Sequence, residues 1–196
     1  MATFFTSDLH LGHVNILTYT NRPFDDVPHM NEMLIQYWNE TVQPEDTVYI
    51  IGDLCMGQLD TTLPLVTRLN GEKFLIPGNH DRCWTGHNYS QEKFDHWQKR
   101  YTEVGLTILG PEEVFDIGEY GSVTTWVRLC HFPYSGDHTE KERYTEFRPD
   151  DDGLPLLCGH IHTLWATSGR QFNVGVDVND YRPVPVETIR EWISNG

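Results

Sequence analysis

The tetrapeptide Gly78-Asn79-His80-Asp81 gathers in one place the groups that hydrolysis needs. Asn79 offers a neutral oxygen, His80 a titratable nitrogen, and Asp81 a carboxylate to orient that nitrogen. The apolar run Glu72-Lys73-Phe74-Leu75-Ile76 before it reads as a buried strand. Pro77 cannot donate a ladder hydrogen bond and marks the strand's end. Gly78 then permits a sharp reversal of the backbone. An Asx-rich turn has the same composition, so this stretch alone leaves both readings open.

Four other apolar runs end in the same kind of chemistry. Residues 2–7 lead into Asp8-Leu9-His10, and residues 46–51 lead into Gly52-Asp53. Residues 122–132 carry His131, and residues 154–158 lead into Gly159-His160-Ile161-His162. Along an extended backbone, residues two apart point the same way, so Asp8 and His10 are expected to face one point together. Each signal is weak alone: Gly-Asp at a strand end is usually a turn, and a lone histidine after a strand is usually structural. Turns do not explain why the pattern repeats at five strand ends. Asp8, His10, Asp53, Asn79, His131, His160 and His162 form a mixed oxygen and nitrogen set. Such a set suits borderline divalent metals such as Mn²⁺, Fe²⁺ or Zn²⁺. It is too large for one ion and fits two. A pair of ions roughly 3.5–4 Å apart needs a bridging carboxylate and clamps both oxygens of an in-line phosphoryl displacement.

In this order the five motifs resemble those of the calcineurin-like metallophosphoesterases, over nearly the whole chain. The resemblance implies an α/β (α+β) fold, a four-layer αββα sandwich of two mixed β-sheets flanked by helices, as a single domain over residues 1–196. It also implies that Asp8, His10, Asp53 and His162 hold one metal, that Asp53, Asn79, His131 and His160 hold the other, and that Asp53 bridges. His80, oriented by Asp81, would sit over the leaving group. Mn²⁺ is the expected metal, with Fe²⁺/Fe³⁺, Zn²⁺ and Ni²⁺ as alternatives. Cys130 stands where many members carry glycine before the fourth-motif histidine, which makes His138 the competitor of His131. His13, Arg22 and Arg82 lie outside the shared motifs and are candidate substrate contacts.

Small members of the family commonly cleave diesters, so a small phosphodiester is the expected substrate, with 2′,3′-cyclic and 3′,5′-cyclic nucleotides as candidates. A phosphomonoesterase, including a dinucleotide or phosphoprotein phosphatase, and a nuclease are the alternatives in the same class. A non-catalytic interaction module on this fold is the alternative from another class, and the full set of motif residues argues against it.

The elements that must position these groups are also legible. Met30, Met33, Leu34, Tyr37 and Trp38 fall at helical spacing and predict an amphipathic helix over 28–42. Similar patterns predict helices at 58–70, 91–103 and 186–194, and strands at 106–109, 112–117 and, as a strand or hairpin, 164–178. Residues 134–152 read as a polar surface excursion.

The net charge of −15, from 29 acids against 14 bases, argues against binding long duplex nucleic acid or an anionic membrane. No stretch reaches membrane-spanning length, no Cys-x-x-Cys pair occurs, and the start of the chain carries no leader pattern. A cytoplasmic protein acting on a small phosphate ester is the expectation.

Overall fold

The apolar run before each motif forms a strand. In the computed structural model, which describes residues 1–120, 123–137, 139 and 141–195, these strands fall into two sheets. Strands β1 (Thr3–Thr6), β2 (Thr47–Ile50), β3 (Glu72–Leu75) and β4 (Leu106–Ile108) pair in parallel. The second sheet contains β5 (Glu112–Tyr120), β6 (Val123–Cys130), β7 (Leu156–Cys158), β8 (Thr167–Ser168) and β9 (Gln171–Asn173), in the order β5-β6-β7-β9-β8. Its β6, β7 and β9 are parallel, whereas β5 and β8 run antiparallel at the edges. A short β10 (Val184–Pro185) adds antiparallel to β1. Both sheets are therefore mixed, as expected.

Parallel strands deliver their C-terminal ends to one edge, and loops there can converge. The Asp8, Asp53 and Asn79 loops leave β1, β2 and β3, while His131 and His160 leave β6 and β7. A parallel bridge from Ser7 to Gly175 ties the two sheets together beside these loops.

Alternation along each strand builds two cores. Phe5, Ile51 and Ile76 face Val127, Leu129, Leu157 and Phe172 between the sheets. Phe4, Val48, Ile50 and Leu75 point the other way, into a cluster with Met30, Leu34 and Trp38 of helix α2 (Val27–Thr41). Each fully buried side chain of this kind contributes ~1.5–3 kcal/mol. The start of α2 is fixed by Asp26, whose side chain accepts from the His29 N–H, and by a proline in the first turn. Helix α4 (Gln91–Glu103) buries Tyr101, and α5 (Val186–Asn195) buries Val186 and Ile189. On the outer face of the second sheet, Cys130, Leu156 and Cys158 pack against Trp84 and Phe132, with Tyr144 from the excursion before β7.

Two local features differ from expectation, at 58–70 and after the first motif, while the hairpin expected within 164–178 is present. The helix predicted over 58–70 is a short α3 (Leu59–Thr62) followed by a 3-10 stretch, Leu63–Arg68. Pro64 has no N–H to continue an α-helical ladder through this point. The 164–178 segment is a two-strand hairpin followed by a 3-10 turn at Val176–Val178. A four-residue α1 (Ile16–Tyr19) follows the first motif and was not anticipated.

Candidate metal centre

Asp8 and His10 do meet, but not on an extended backbone. Their φ angles are 57° and 51°, in the left-handed region. Asp53 (56°), His160 (70°) and His162 (47°) share that conformation. Non-glycine residues rarely adopt it, and Asp and His are among those that tolerate it best. Five of the seven candidate ligands thus sit in strained turns just beyond their strands, where strain is commonly held at functional sites. The expectation of same-side projection along a strand is corrected: each chain turns sharply, and the turn aims the side chain.

Glycines let these turns touch. A Cβ at Gly78 would collide with Oδ1 of Asp53, and one at Gly159 would collide with Ser7 Oγ and Asp8 Oδ2.

The side chains converge on Asp53. Its Oδ2 lies 3.6 Å from His10 Nε2 and 3.4 Å from His131 Nε2. Asp8 Oδ1 is 3.7 Å from the same His10 nitrogen. Asn79 Oδ1 is 3.2 Å from His131 Nε2 and 3.0 Å from His160 Nδ1. Two triads of donor atoms are compact enough to hold an ion, Asp8-His10-His162 and Asp8-Asp53-His131. The first triad falls within one expected group, the second joins Asp8 to Asp53 and His131 so that Asp8 is common to both, and Asn79 and His160 approach through the contacts just given. His138, the competitor of His131, lies outside the described residues.

The donor set fits divalent cations. Among the described residues, His10 Nε2 is buried without a hydrogen-bond partner, although it points between two carboxylates. An orphaned buried nitrogen is costly unless something binds it. Three other histidines are held from behind. His131 Nδ1 donates to the Ile51 carbonyl at 2.9 Å, His162 Nδ1 bonds Asp177 at 3.1 Å, and His160 Nε2 approaches Asp137 at 3.4 Å. Such outer contacts fix the ring and leave the other nitrogen for a metal.

Electrostatics follow from this crowding. Burial would lower the His131 imidazole, but Asp53 outweighs it and raises it to about 9. Burial would raise Asp53, yet His131 holds its carboxyl well below the usual range. Burial and the neighbouring His131 push His160 down to about 3. Burial and the surrounding cationic groups lower His13 to about 4.

The remaining candidates divide. His80 is exposed, its backbone N–H donates to Asp53 Oδ1 at 2.9 Å, and its Nε2 stands 4.0 Å from Asp53 Oδ2. Asp81 does not orient it. The Asp81 carboxylate is buried and accepts the backbone N–H groups of Asp53 (2.8 Å), Leu54 (3.1 Å) and Gly78 (2.9 Å), with the Tyr101 hydroxyl at 3.4 Å. The turn after Gly78 sends the two neighbouring side chains in different directions. Burial and the Asp53 charge push Asp81 up to about 7.

Arg22 is also corrected. Its side chain is fully buried, and every guanidinium N–H is directed at a partner inside the protein. It bonds both oxygens of Asp177 and the carbonyls of Asp8 and Leu9, which locks the first motif's turn. No guanidinium hydrogen is left for a substrate phosphate. Arg82 donates to the Tyr89 hydroxyl and lines a separate depression with Cys55, His80 and His87. His13 does line the cavity over the centre, together with His10, His80 and His162. The arginine on that cavity is Arg143, paired with Asp137 at 3.0 Å. Asp137, Arg143 and Asp177 were not anticipated, and no motif spacing marks them.

Comparisons with known proteins identify the family and the fold. The family model described as calcineurin-like phosphoesterase matches residues 1–164. The gene 66 protein of Mycobacterium phage D29 is 36% identical over 200 residues, covering 97% of this chain and 95% of that protein. An uncharacterized protein of Methanocaldococcus jannaschii is 28% identical, over 98% of this chain and 92% of its own. A crystal structure of a protein of unknown function from Aquifex aeolicus superposes with a TM-score of 0.71 at 22% identity, over 97% of this chain and 98% of that one, and so shares the fold. The chain belongs to the calcineurin-like phosphoesterase family.

Proposed function

We propose that the protein hydrolyses small phosphodiesters at a dinuclear metal centre, with Mn²⁺ as the working ion. One observation carries this reading: Asp53 Oδ2 stands between His10 Nε2 and His131 Nε2, at 3.6 and 3.4 Å, where a bridging carboxylate would stand. Asp8, His10, Asp53 and His162 would hold one ion, and Asp53, Asn79, His131 and His160 the other. Two divalent cations there would activate a water molecule and neutralise charge on the phosphoryl oxygens.

The chain's own residues supply the rest. His80 reaches the cavity and is held by its backbone to Asp53, so it can give a proton to the departing oxygen as the P–O bond breaks. The cavity is of a size to take a small ester, and the net charge of −15 favours a compact ligand neutralised by cations over long nucleic acid. Among the described residues no helix is long and apolar enough to cross a membrane, and the four cysteines are free and buried, which supports a reducing, cytoplasmic setting. The reading treats residues 1–196 as one catalytic domain.

The test is a substrate panel with Mn²⁺-loaded protein: 2′,3′- and 3′,5′-cyclic nucleotides, linear aryl diesters and the matching monoesters. Diesters turned over faster than monoesters support the reading. A monoester preference replaces it with a phosphatase, and no turnover of any ester removes it.

A further inference from the structure

We propose that Tyr19 and His13 form a binding face for a planar aromatic group, of nucleobase size, carried by the ester whose phosphate sits at the metal centre. The proposal rests on the phosphoesterase reading of that centre.

The cavity over the candidate ligands has a volume of about 500 Å³. That falls in the range of small-molecule sites and exceeds what a phosphate alone needs. Its floor is His10 and His162, His80 stands on one side, and Arg143 lines it as well. His13, Ile16 and Tyr19 line it too, among polar residues that include Asn15, Thr20 and Thr163.

Tyr19 gives this lining an exposed aromatic ring. Tyr19 is 74% exposed, and Val14 and Leu164, which adjoin the lining residues His13 and Thr163 in the chain, are 63% and 55% exposed. Large apolar side chains gathered at the mouth of a polar cleft mark a contact surface. The Tyr19 ring meets the His13 ring nearly perpendicularly, at 6.3 Å and 80°. A perpendicular contact occupies at most one face of the Tyr19 ring, so a face remains there for stacking, whereas the His13 ring also meets those of His10 at 5.2 Å and His80 at 6.3 Å and stands at the edge of that open face.

The wall is also rigid relative to the metal ligands. The His13 N–H donates to the His10 carbonyl at 3.0 Å, and the Tyr19 N–H donates to the Asn15 carbonyl at 3.0 Å. Ile16 is buried and pins α1 to the core. A ring stacked on Tyr19 would therefore be held at a fixed offset from a phosphate at the centre, which favours substrates of matching length.

The experiment compares two diesters with the same leaving group on Mn²⁺-loaded protein: thymidine 5′-(4-nitrophenyl phosphate) and methyl 4-nitrophenyl phosphate. Wild-type protein is expected to prefer the nucleoside ester. Tyr19→Ala should lower the ratio of the two kcat/KM values by on the order of 5- to 100-fold, and Tyr19→Phe, which keeps the ring, should restore it. Calorimetric binding of thymidine 5′-monophosphate against methyl phosphate gives a second readout, independent of turnover. If both esters are hydrolysed and Tyr19→Ala leaves the ratio unchanged, the platform is overturned and the phosphoesterase reading stands. If neither ester is hydrolysed but nucleotide binding weakens in Tyr19→Ala, the platform stands and the phosphodiesterase reading falls. Nucleotide binding indifferent to Tyr19 overturns the platform whatever the turnover.

Discussion

Oδ2 of Asp81 accepts the backbone N–H of Asp53 at 2.8 Å. One buried carboxylate therefore holds the loop that presents another, and the same oxygen also holds Gly78 at 2.9 Å. This side chain joins the loops after β2 and β3, beside the bond from the His80 N–H to Asp53 Oδ1. Its role is to fix where Asp53 stands, not to tune His80.

Replacing Asp81 with Ala should therefore harm the whole site. It leaves buried N–H groups without acceptors, each at a cost of ~1–3 kcal/mol. The expected result is a lower Tm, weaker metal retention, and equal losses of kcat/KM on diesters with good and poor leaving groups. A loss confined to poor leaving groups would return Asp81 to the role of orienting His80.

His80→Ala should behave differently. It should keep its metals and lose roughly 10²–10⁴-fold on a ribose leaving group, the usual worth of general acid catalysis. The loss on a nitrophenyl diester should be clearly smaller, because nitrophenolate is stable as an anion. Loss of metal in this variant would make His80 a ligand.

Arg22→Leu should act on stability rather than on substrate affinity. Removing one partner of a buried ion pair costs about 3–5 kcal/mol, and Asp177 would be left buried with His162 as its remaining partner. Thermal unfolding should show a large drop in Tm. An unchanged Tm with a raised KM would restore Arg22 as a phosphate contact.

Asp46 gives a pH-dependent prediction remote from the centre. Hydrogen bonds from the backbone N–H groups of Ala2 and Gln43 hold its carboxyl below the usual value of 3.8. A carboxylate whose folded value is depressed stabilises above its unfolded value, and that contribution is lost as pH falls through the folded one. Asp46→Asn should thus melt below wild type at pH 7, and the gap should close as pH drops below 3.8. A gap that widens in acid would contradict the assignment.

The sequence made the strand ends and the seven donors readable because residue type and strand periodicity are local properties. Directions were not local. Asp81 adjoins His80 in the chain, yet the turn aims it at Asp53, and only the fold shows this. Asp8 and His10 were expected to align along a strand, and the left-handed backbone brings them together instead. Asp177 and Asp137 support His162 and His160 across 15 and 23 residues, with no spacing rule to mark them. Arg22 read as a candidate substrate contact because a loop arginine is usually accessible. Its burial depends on Asp177, far away in sequence.

The central claim is that Asp53 bridges two ions in a hydrolytic centre. The direct measurement is metal content by elemental analysis after Mn²⁺ loading, on wild type and Asp53→Ala, with an aryl diester assay on the same samples. The account predicts about two equivalents per chain in wild type, most of the metal lost in Asp53→Ala, and activity abolished with it. An Asp53→Ala protein that keeps its metal and hydrolyses the diester at the wild-type rate would contradict it.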